Sequence, residues 1–103
     1  MRVVSQRRCR DAAAHYPSDG AALMRVSKAL NDGRFITPDV LKVTFPSLDR
    51  FKYRDKWWVI DIGGNNLRLV AHISFESQEL FVKHIVNHKE YDRLTDHYRS
   101  NKQ

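Results

Sequence analysis

The chain has few of the features that direct a protein out of the cytoplasm. Cysteine occurs once in 103 residues, at Cys9, which excludes an internal disulfide and a zinc site built on several cysteines. No apolar run approaches the length needed to span a bilayer. The N-terminal stretch carries four arginines within ten residues and lacks the apolar centre of a secretion signal. These absences predict a soluble, cytoplasmic protein without membrane contact.

Acidic residues are also under-represented, since 12 Asp and Glu face 18 Lys and Arg and give a formal net charge of +6. This imbalance favours an acidic partner, which could be nucleic acid, an anionic membrane surface or an acidic protein. Hydrophobic residues make up 42% of the chain, enough for one packed domain over residues 1–103. The histidines outside position 88 have no ligand-like spacing, so we expect no metal and no bound cofactor.

The N-terminal half has mostly helical periodicity. Residues 2–4 could be a short strand or the lead into a helix, and apolar spacing predicts a helix over residues 5–16. Ser18 is the expected N-cap of a second helix, which Gly33 would end in a left-handed conformation. Residues 35–48 contain two prolines and predict an irregular connector with at most one short helix or strand.

Beyond residue 56 the apolar period changes to two, which is typical of strands. Gly63-Gly64-Asn65-Asn66 predicts a hairpin turn. The third strand is apolar on both faces and should be central or covered. We therefore predict an α+β fold in which two N-terminal helices pack on a twisted antiparallel sheet and a short C-terminal helix follows. The predicted strands cover residues 57–62, 67–75 and 80–86. The predicted C-terminal helix covers residues 88–98, and residues 99–103 are expected to form a frayed tail.

Residues 50–56, Arg-Phe-Lys-Tyr-Arg-Asp-Lys, alternate cationic and aromatic side chains. In an extended strand this cationic segment would present its charges to a polyanion and bury the aromatic rings. The alternation breaks at Asp55, which predicts a turn there, with Lys52 on the sheet and Arg54 and Lys56 at its rim. The segment could equally be a solvated edge strand whose cations deter aggregation. Trp58 could stack on a base or lie buried under a helix.

A second group of candidate residues lies where the last strand meets the last helix. Asn87 and Glu90 predict a capping box, which places His88 and Lys89 in the first turn beside free backbone N–H groups, an arrangement that suits a phosphate. Tyr91 would share the face of His88. Taken singly, His88 could be a surface residue and Tyr91 a core residue.

Arg68 lies mid-strand on the face opposite Leu67 and Leu69. A mid-strand arginine on the face away from the two N-terminal helices is either solvated or directed at an anion.

Several short motifs, in this order along the chain, resemble the HigB toxins of the RelE/ParE superfamily. The resemblance covers nearly the whole chain, including the segments DAA at 11–13 and YP at 16–17. The motifs are FPSLD at 45–49, FKY at 51–53, DK at 55–56, GGN at 63–65 with LR at 67–68, FESQ at 75–78 and HKEYD at 88–92.

The resemblance implies a RelE-like fold and an endonuclease that cuts mRNA on the translating ribosome. It also implies a HigA-like helix-turn-helix antitoxin that silences the toxin, and operator DNA bound by the toxin–antitoxin complex. Metal-independent cleavage of RNA uses the 2′-hydroxyl as nucleophile, so it needs a base, cations on the phosphate and an acid for the leaving oxygen.

The resemblance and the chemistry of RNA cleavage together nominate two sets of residues. Arg68 matches the phosphate-binding arginine of RelE-like second-hairpin strands, while His88 replaces a cation of higher pKa in RelE and leaves the acid and base roles open. Lys52 and Lys56 would share charge stabilisation or serve as base, His88 would be acid or base, and Tyr91 would stack on a nucleotide or assist proton transfer. The expected catalytic residues are Lys52, Lys56, Arg68, His88 and Tyr91, and the expected RNA-binding residues are Arg50, Arg54, Trp58 and Lys89.

Two other functions remain open from the sequence. The basic segment is equally compatible with a non-catalytic module that binds RNA or the ribosome. The ParE branch of the superfamily suggests a gyrase inhibitor. The pair His88 and Tyr91 disfavours that alternative, because a gyrase inhibitor needs no proton-transfer group.

Overall fold

The structure is a computed structural model that describes residues 1–101. Three helices precede most of the sheet, and a fourth follows it. In chain order the elements are β1 Arg2–Val4, α1 Gln6–His15, α2 Gly20–Asp32, α3 Pro38–Thr44, β2 Asp49–Arg50, β3 Trp57–Ile62, β4 Leu67–Ser74, β5 Glu79–Asn87 and α4 His88–Ser100.

The strands form one sheet in the order β1-β5-β4-β3-β2. The pairs β2–β3, β3–β4 and β4–β5 are antiparallel, whereas β1 runs parallel to β5 with Val3 opposite Leu80. The sheet is therefore mixed: the predicted antiparallel strands are present, and β1 adds a parallel strand at one edge. Three residues are too short to show a period of two, so the sequence left residues 2–4 open between a strand and the lead into a helix, and pairing with β5 makes them a strand.

The two faces of the sheet carry separate cores. Leu67, Leu69, Ala71 and Ile73 of β4 face α1, α2 and α3 and pack with Leu23, Leu30 and Leu41. On the other face, Phe51, Val59 and Val70 pack against α4 through Tyr91, Leu94 and Tyr98. The expected packing of the first two helices on one face is confirmed, and β5 lies inside the sheet as predicted. Since side chains alternate along a strand, Arg68 lies on the α4 face.

Both ends of α2 differ from the prediction. The N-cap is Asp19 rather than Ser18, and it makes no side-chain capping hydrogen bond. Gly33 has φ −94° and ψ 165°, so it is extended and not left-handed. The reason is tertiary: the chain must leave α2 straight towards the buried Phe35, and the terminal amino group of Met1 donates to the Gly33 carbonyl.

The connector contains one short helix, α3, as the sequence allowed. Its start follows ordinary rules, because Thr37 Oγ1 accepts from the Val40 amide at 3.3 Å and Pro38 occupies the first turn. One side of this helix is buried through Leu41, while Ile36, Val40 and Val43 remain exposed.

The turn between β3 and β4 is the predicted hairpin turn. Gly63, Gly64 and Asn65 have φ of 62°, 64° and 85°, values that glycine and asparagine tolerate best. The turn also contacts α2, since Asn66 Nδ2 donates to Asp19 Oδ1 at 3.2 Å.

The C-terminal helix is longer than predicted. Arg99 and Ser100 belong to α4, so fraying does not begin at residue 99, and residues 102–103 of the predicted tail lie outside the described part of the chain. Within residues 1–101, no helix combines the length and apolar character required to cross a membrane.

Candidate active site

The segment 50–56 is not one extended strand. β2 ends at Arg50, and residues 52–56 form turns before β3. Lys52 therefore lies exposed in a turn and not on the sheet, which corrects its expected position. The turn at Asp55 and Lys56 is confirmed, with Lys56 at φ 63°. Phe51 is 2% exposed under α4 and its amide still donates to the Trp57 carbonyl at 2.9 Å, so strand pairing ends there and the chain turns at Lys52.

Arg68 lies at the centre of a cleft of about 140 Å³ between β4, β2 and the first turns of α4. Its guanidinium carbon lies 4.5 Å from the centre of the Tyr91 ring. Its Nε is 3.5 Å from Asp61 Oδ1 and its Nη2 donates to Asn65 Oδ1 at 3.4 Å. Within residues 1–101, Nε is a buried polar atom without a hydrogen-bond partner. The Arg68 side chain is nevertheless 21% exposed, and through this surface its guanidinium can meet an anion in the cleft.

Tyr91 closes one side of this cleft. Its ring packs edge-on against Phe51, with centroids 6.3 Å apart, which fixes its position. Burial raises the pKa of the Tyr91 phenol; the Arg68 guanidinium opposes that shift and the Asp49 carboxylate adds to it. At neutral pH the phenol is therefore protonated and can donate a proton or a hydrogen bond.

Two carboxylates that the sequence did not single out also line the cleft, Asp49 from β2 and Asp61 from β3. Asp61 pairs with Arg68, as described above. Asp49 Oδ1 accepts from the Arg50 amide at 2.8 Å, which orients the carboxylate. A sequence signal existed for Asp61, because it interrupts an otherwise apolar strand, but Asp49 becomes recognisable only once its pairing opposite Val59 is known.

A second cleft continues from the first. It has a volume of about 310 Å³ and is lined by Asp49, Lys52, Tyr53, Tyr91 and others. Lys52 Nζ lies 5.3 Å from the centre of the Tyr53 ring. The structure therefore brings three of the expected catalytic residues, Lys52, Arg68 and Tyr91, to one connected surface.

His88 and Lys89 are exposed in the first turn of α4. The predicted capping box is present: Asn87 Oδ1 accepts from the Glu90 amide at 2.9 Å, and Glu90 Oε1 accepts from the Asn87 amide at 3.1 Å. His88 Nε2 lies 4.0 Å from Asp92 Oδ2. Neither His88 nor Lys89 lines the Arg68 cleft.

The cap is tied to α1 through Tyr16, whose hydroxyl donates to Glu90 Oε1. Burial and this carboxylate raise the pKa of Tyr16 to about 12. In the other direction, the hydrogen bonds from Tyr16 and from the Asn87 amide lower the pKa of Glu90. Since Tyr91 follows Glu90 directly, this contact helps to hold the start of α4, and with it Tyr91, against the sheet.

Arg54 packs against the C-terminal end of α4. Its guanidinium carbon lies 4.4 Å from the centre of the Tyr98 ring, and its Nη2 donates to the Asn101 carbonyl at 2.9 Å. These contacts tie the loop to the C-terminal end of α4 and leave Arg54 half-buried.

Lys56 and Trp58 lie elsewhere, in a pocket that contains neither Arg68 nor Tyr91. Arg50 lines that pocket and also lines the cleft at Lys52, together with Tyr91. Trp58 packs with the core under α1 and α2, whereas Trp57 packs under α4, so the two indoles occupy opposite faces as predicted.

Comparison with known proteins decides the family. Residues 20–94 match the model of the HigB toxins, described as the RelE-like toxic component of a toxin-antitoxin system. The chain belongs to the HigB toxin family. The resemblance inferred from the motifs is thereby confirmed, and membership pairs the chain with an antitoxin.

Similar HigB proteins match along almost their whole length. An mRNA interferase HigB of Escherichia coli O6:H1 is 47% identical over 103 residues, which is 100% of both chains. The mRNA interferase toxin HigB of Escherichia coli K12 and an mRNA interferase HigB of Shigella flexneri are each 42% identical over 100 residues, covering 97% of this chain and 96% of theirs.

Proposed function

We propose that this chain is an mRNA interferase, an endoribonuclease that cleaves mRNA and thereby stops translation. The observation that carries the proposal is the partly exposed guanidinium of Arg68 in a cleft shared with the protonated Tyr91 phenol. The names of the similar HigB proteins support the same activity.

The chemistry follows from what the cleft residues can do with RNA. The 2′-oxygen of one nucleotide forms a bond to the adjacent phosphorus, and the bond from phosphorus to the 5′-oxygen of the next nucleotide breaks. Arg68 would bind the non-bridging phosphate oxygens and stabilise the charge that develops there. Tyr91 would give its proton to the departing 5′-oxygen, and Lys52 would add positive charge near the entering strand. The nucleophile belongs to the RNA, so the proposed reaction is metal-independent and needs no bound cofactor.

Two groups can take the proton from the 2′-hydroxyl. Asp49 lines the cleft beside Arg68 and Tyr91, whereas His88 projects from the exposed first turn of α4. A base must come within hydrogen-bond reach of the proton that it removes. This geometry favours Asp49, with His88 and Lys89 placed to contact flanking phosphate near the start of α4.

The finer assignments rest on the family. We propose that the substrate is mRNA on the translating ribosome, which places the protein in the cytoplasm. The partner would be a HigA-like helix-turn-helix antitoxin, and the toxin–antitoxin complex would bind operator DNA. The +6 net charge favours binding to mRNA and to operator DNA, which are both polyanions.

The decisive test is Arg68→Ala, assayed for mRNA cleavage with translating ribosomes. Loss of the phosphate-binding group should reduce the cleavage rate by about 10²- to 10³-fold. Arg68→Lys should recover little of it, because an ammonium lacks the planar fork of a guanidinium. The matched control is Arg25→Ala, which removes an exposed charge from α2 and should leave the rate near wild type.

Each alternative function predicts a different experimental result. Full cleavage by Arg68→Ala would contradict the proposed site. Bound but uncut mRNA with the wild-type protein would indicate a non-catalytic RNA-binding module. Intact mRNA together with relaxed plasmid DNA in expressing cells would indicate a gyrase inhibitor.

A further inference from the structure

A pocket of about 300 Å³ lies where β3 begins and β4 ends, away from the Arg68 cleft, and Arg50 of β2 is also in its lining. Arg50, Lys56, Trp58, Phe75 and Glu76 are among the residues that line it. This volume is at the lower end of the range for small-ligand sites, large enough for a single nucleotide unit. The proposed cleavage chemistry uses none of these residues.

Trp58 is held in a defined orientation in this pocket. Its ring meets Phe75 edge-on, with centroids 6.0 Å apart and an interplanar angle of 86°. The guanidinium carbon of Arg50 lies 5.4 Å from the centre of the indole. The indole is partly exposed, although it also contacts the core. An ordered, partly exposed aromatic ring with a guanidinium over it offers both stacking and positive charge to a nucleotide, and Arg50 must move off the ring or stack on the base itself when the base binds.

The short strand β2 connects this pocket to the Arg68 cleft. Asp49 pairs with Val59 and Arg50 with Trp58, so the two neighbouring residues point to opposite faces of the sheet. Asp49 lines the Arg68 cleft, Arg50 lines the Trp58 pocket, and both also line the cleft at Lys52. One exposed edge strand therefore borders both sites.

Neighbouring clefts between the two sites share lining residues. The Arg68 cleft shares Asp49 and Tyr91 with the cleft at Lys52. That cleft shares Arg50 and Lys52 with a third, which also contains Arg54. The third cleft in turn shares Arg50 with the Trp58 pocket. A strand leaving Arg68 could follow these clefts around the edge of the sheet past the cations of residues 50–56.

We propose that the Trp58 pocket binds a nucleotide of single-stranded RNA several positions away from the cleaved bond. The inference rests on the proposed function, because it concerns the same RNA strand. The base stacks on Trp58, while Arg50 and Lys56 hold its phosphates. Glu76 offers only hydrogen-bond acceptors, so it suits a base edge that carries an amino group.

Binding of short RNAs by fluorescence anisotropy tests the inference. The RNA carries fluorine in place of every 2′-hydroxyl, so it has no nucleophile and stays intact. A 12-nucleotide strand can occupy both sites, whereas a trinucleotide can occupy only one. The test variant is Arg50→Gln/Lys56→Gln, and the matched control is Arg10→Gln/Arg25→Gln, which removes two exposed cations from α1 and α2.

The test variant should lose more affinity for the 12-nucleotide strand than for the trinucleotide, because Arg50 also lines the cleft at Lys52. The slope of log affinity against log salt should become shallower by about 1.4, which corresponds to two lost phosphate contacts on a single strand. The control variant should keep the wild-type slope. An unchanged affinity for the 12-nucleotide strand, or an equal loss for both strands, would overturn the inference.

Trp58 gives an independent readout. Trp58→Leu should weaken binding of the longer strand by about 5- to 150-fold, because it removes one stacked base, and Trp58→Phe should restore much of that loss. If Trp58→Leu does not fold, the Arg50/Lys56 result decides alone. If Arg68→Ala abolishes cleavage while the Arg50/Lys56 variant binds like wild type, this inference fails and the proposed function stands.

Discussion

Arg68 shows how a single residue acquires its chemistry from its neighbours. On the strand it is one arginine among apolar residues, but in the cleft one edge of its guanidinium meets Asp61 and one face meets Tyr91. Its buried Nε still lacks a partner within the described residues. The local charge is thus partly balanced, which reduces the cost of burying the arginine, while the exposed part of its guanidinium can meet a phosphate.

Tyr91→Phe isolates the proposed acid. The ring and its packing on Phe51 remain, so folding should be little changed, but the proton donor is lost and the cleavage rate should fall by about 10²- to 10⁴-fold. In the wild-type protein, activity should decline only as the pH rises through the Tyr91 pKa. That pKa is raised by burial, so the decline lies above the ordinary phenol range near 10.

The control for this substitution is Tyr53→Phe, which changes a tyrosine that lines the neighbouring cleft but not the Arg68 cleft. Rates are measured on ribosome-bound mRNA across the pH range in which the ribosomes remain intact. A Tyr91→Phe enzyme with the wild-type rate would remove Tyr91 from the mechanism and leave Arg68 with another acid.

The β3–β4 turn illustrates how an element can be specified locally and tightened by its surroundings. Gly63 and Gly64 both adopt positive φ, which alone favours glycine. Only Gly63 is also crowded, since a Cβ there would lie 2.4 Å from Asp19 Oδ1, whereas a Cβ at Gly64 would meet nothing within 4 Å.

Gly63→Ala and Gly64→Ala form a matched pair for stability. Gly64→Ala should lower the free energy of unfolding by about 1 kcal/mol, the cost of a left-handed conformation for a residue with a Cβ. Gly63→Ala should cost more, because Asp19 must also move and its hydrogen bond from Asn66 weakens. Urea denaturation measures both values, and equal losses would show that the Asp19 contact contributes nothing.

At the scale of the whole molecule, one sheet separates two cores. The larger lies under α1, α2 and α3, and the smaller lies under α4. Val70 and Leu69 are adjacent on β4 yet belong to different cores. Strands shared in this way should couple the two cores, since neither face can lose its partner without disturbing the backbone ladder of the other.

The two tryptophans report on the two cores separately. Trp57 packs under α4 and Trp58 with the opposite core, so Trp58→Phe leaves a probe of the first and Trp57→Phe a probe of the second. Each variant is unfolded in urea and followed by both its remaining tryptophan and far-ultraviolet circular dichroism. Within each variant the two midpoints should coincide, as expected for cooperative unfolding of a small domain. A separate fluorescence transition for Trp57 would mean that α4 detaches first.

Much of the fold was predictable because the governing interactions are local. The period of two in β3 and β4, the Gly-Gly-Asn-Asn turn and the Asn87–Glu90 capping box each depend on residues within a few positions of one another. What the sequence left open or predicted wrongly depends on distant packing. β1 needs β5 beside it, and Gly33 is extended because Phe35 must reach the core.

The residues of the candidate site also fall into two groups: those that the sequence identified and those that only the fold placed. Sequence alone determined the fold class, the family motifs, and the presence of Arg68, Tyr91 and a basic loop near them, because these follow from residue type and short-range spacing. Only the tertiary structure decided which cation reaches which surface. Lys52 lies in the turn that follows the buried Phe51, and the Arg54 guanidinium packs on the ring of Tyr98. Alternation along β2 sends Asp49 and Arg50 to opposite faces, a separation that no spacing in the chain reveals.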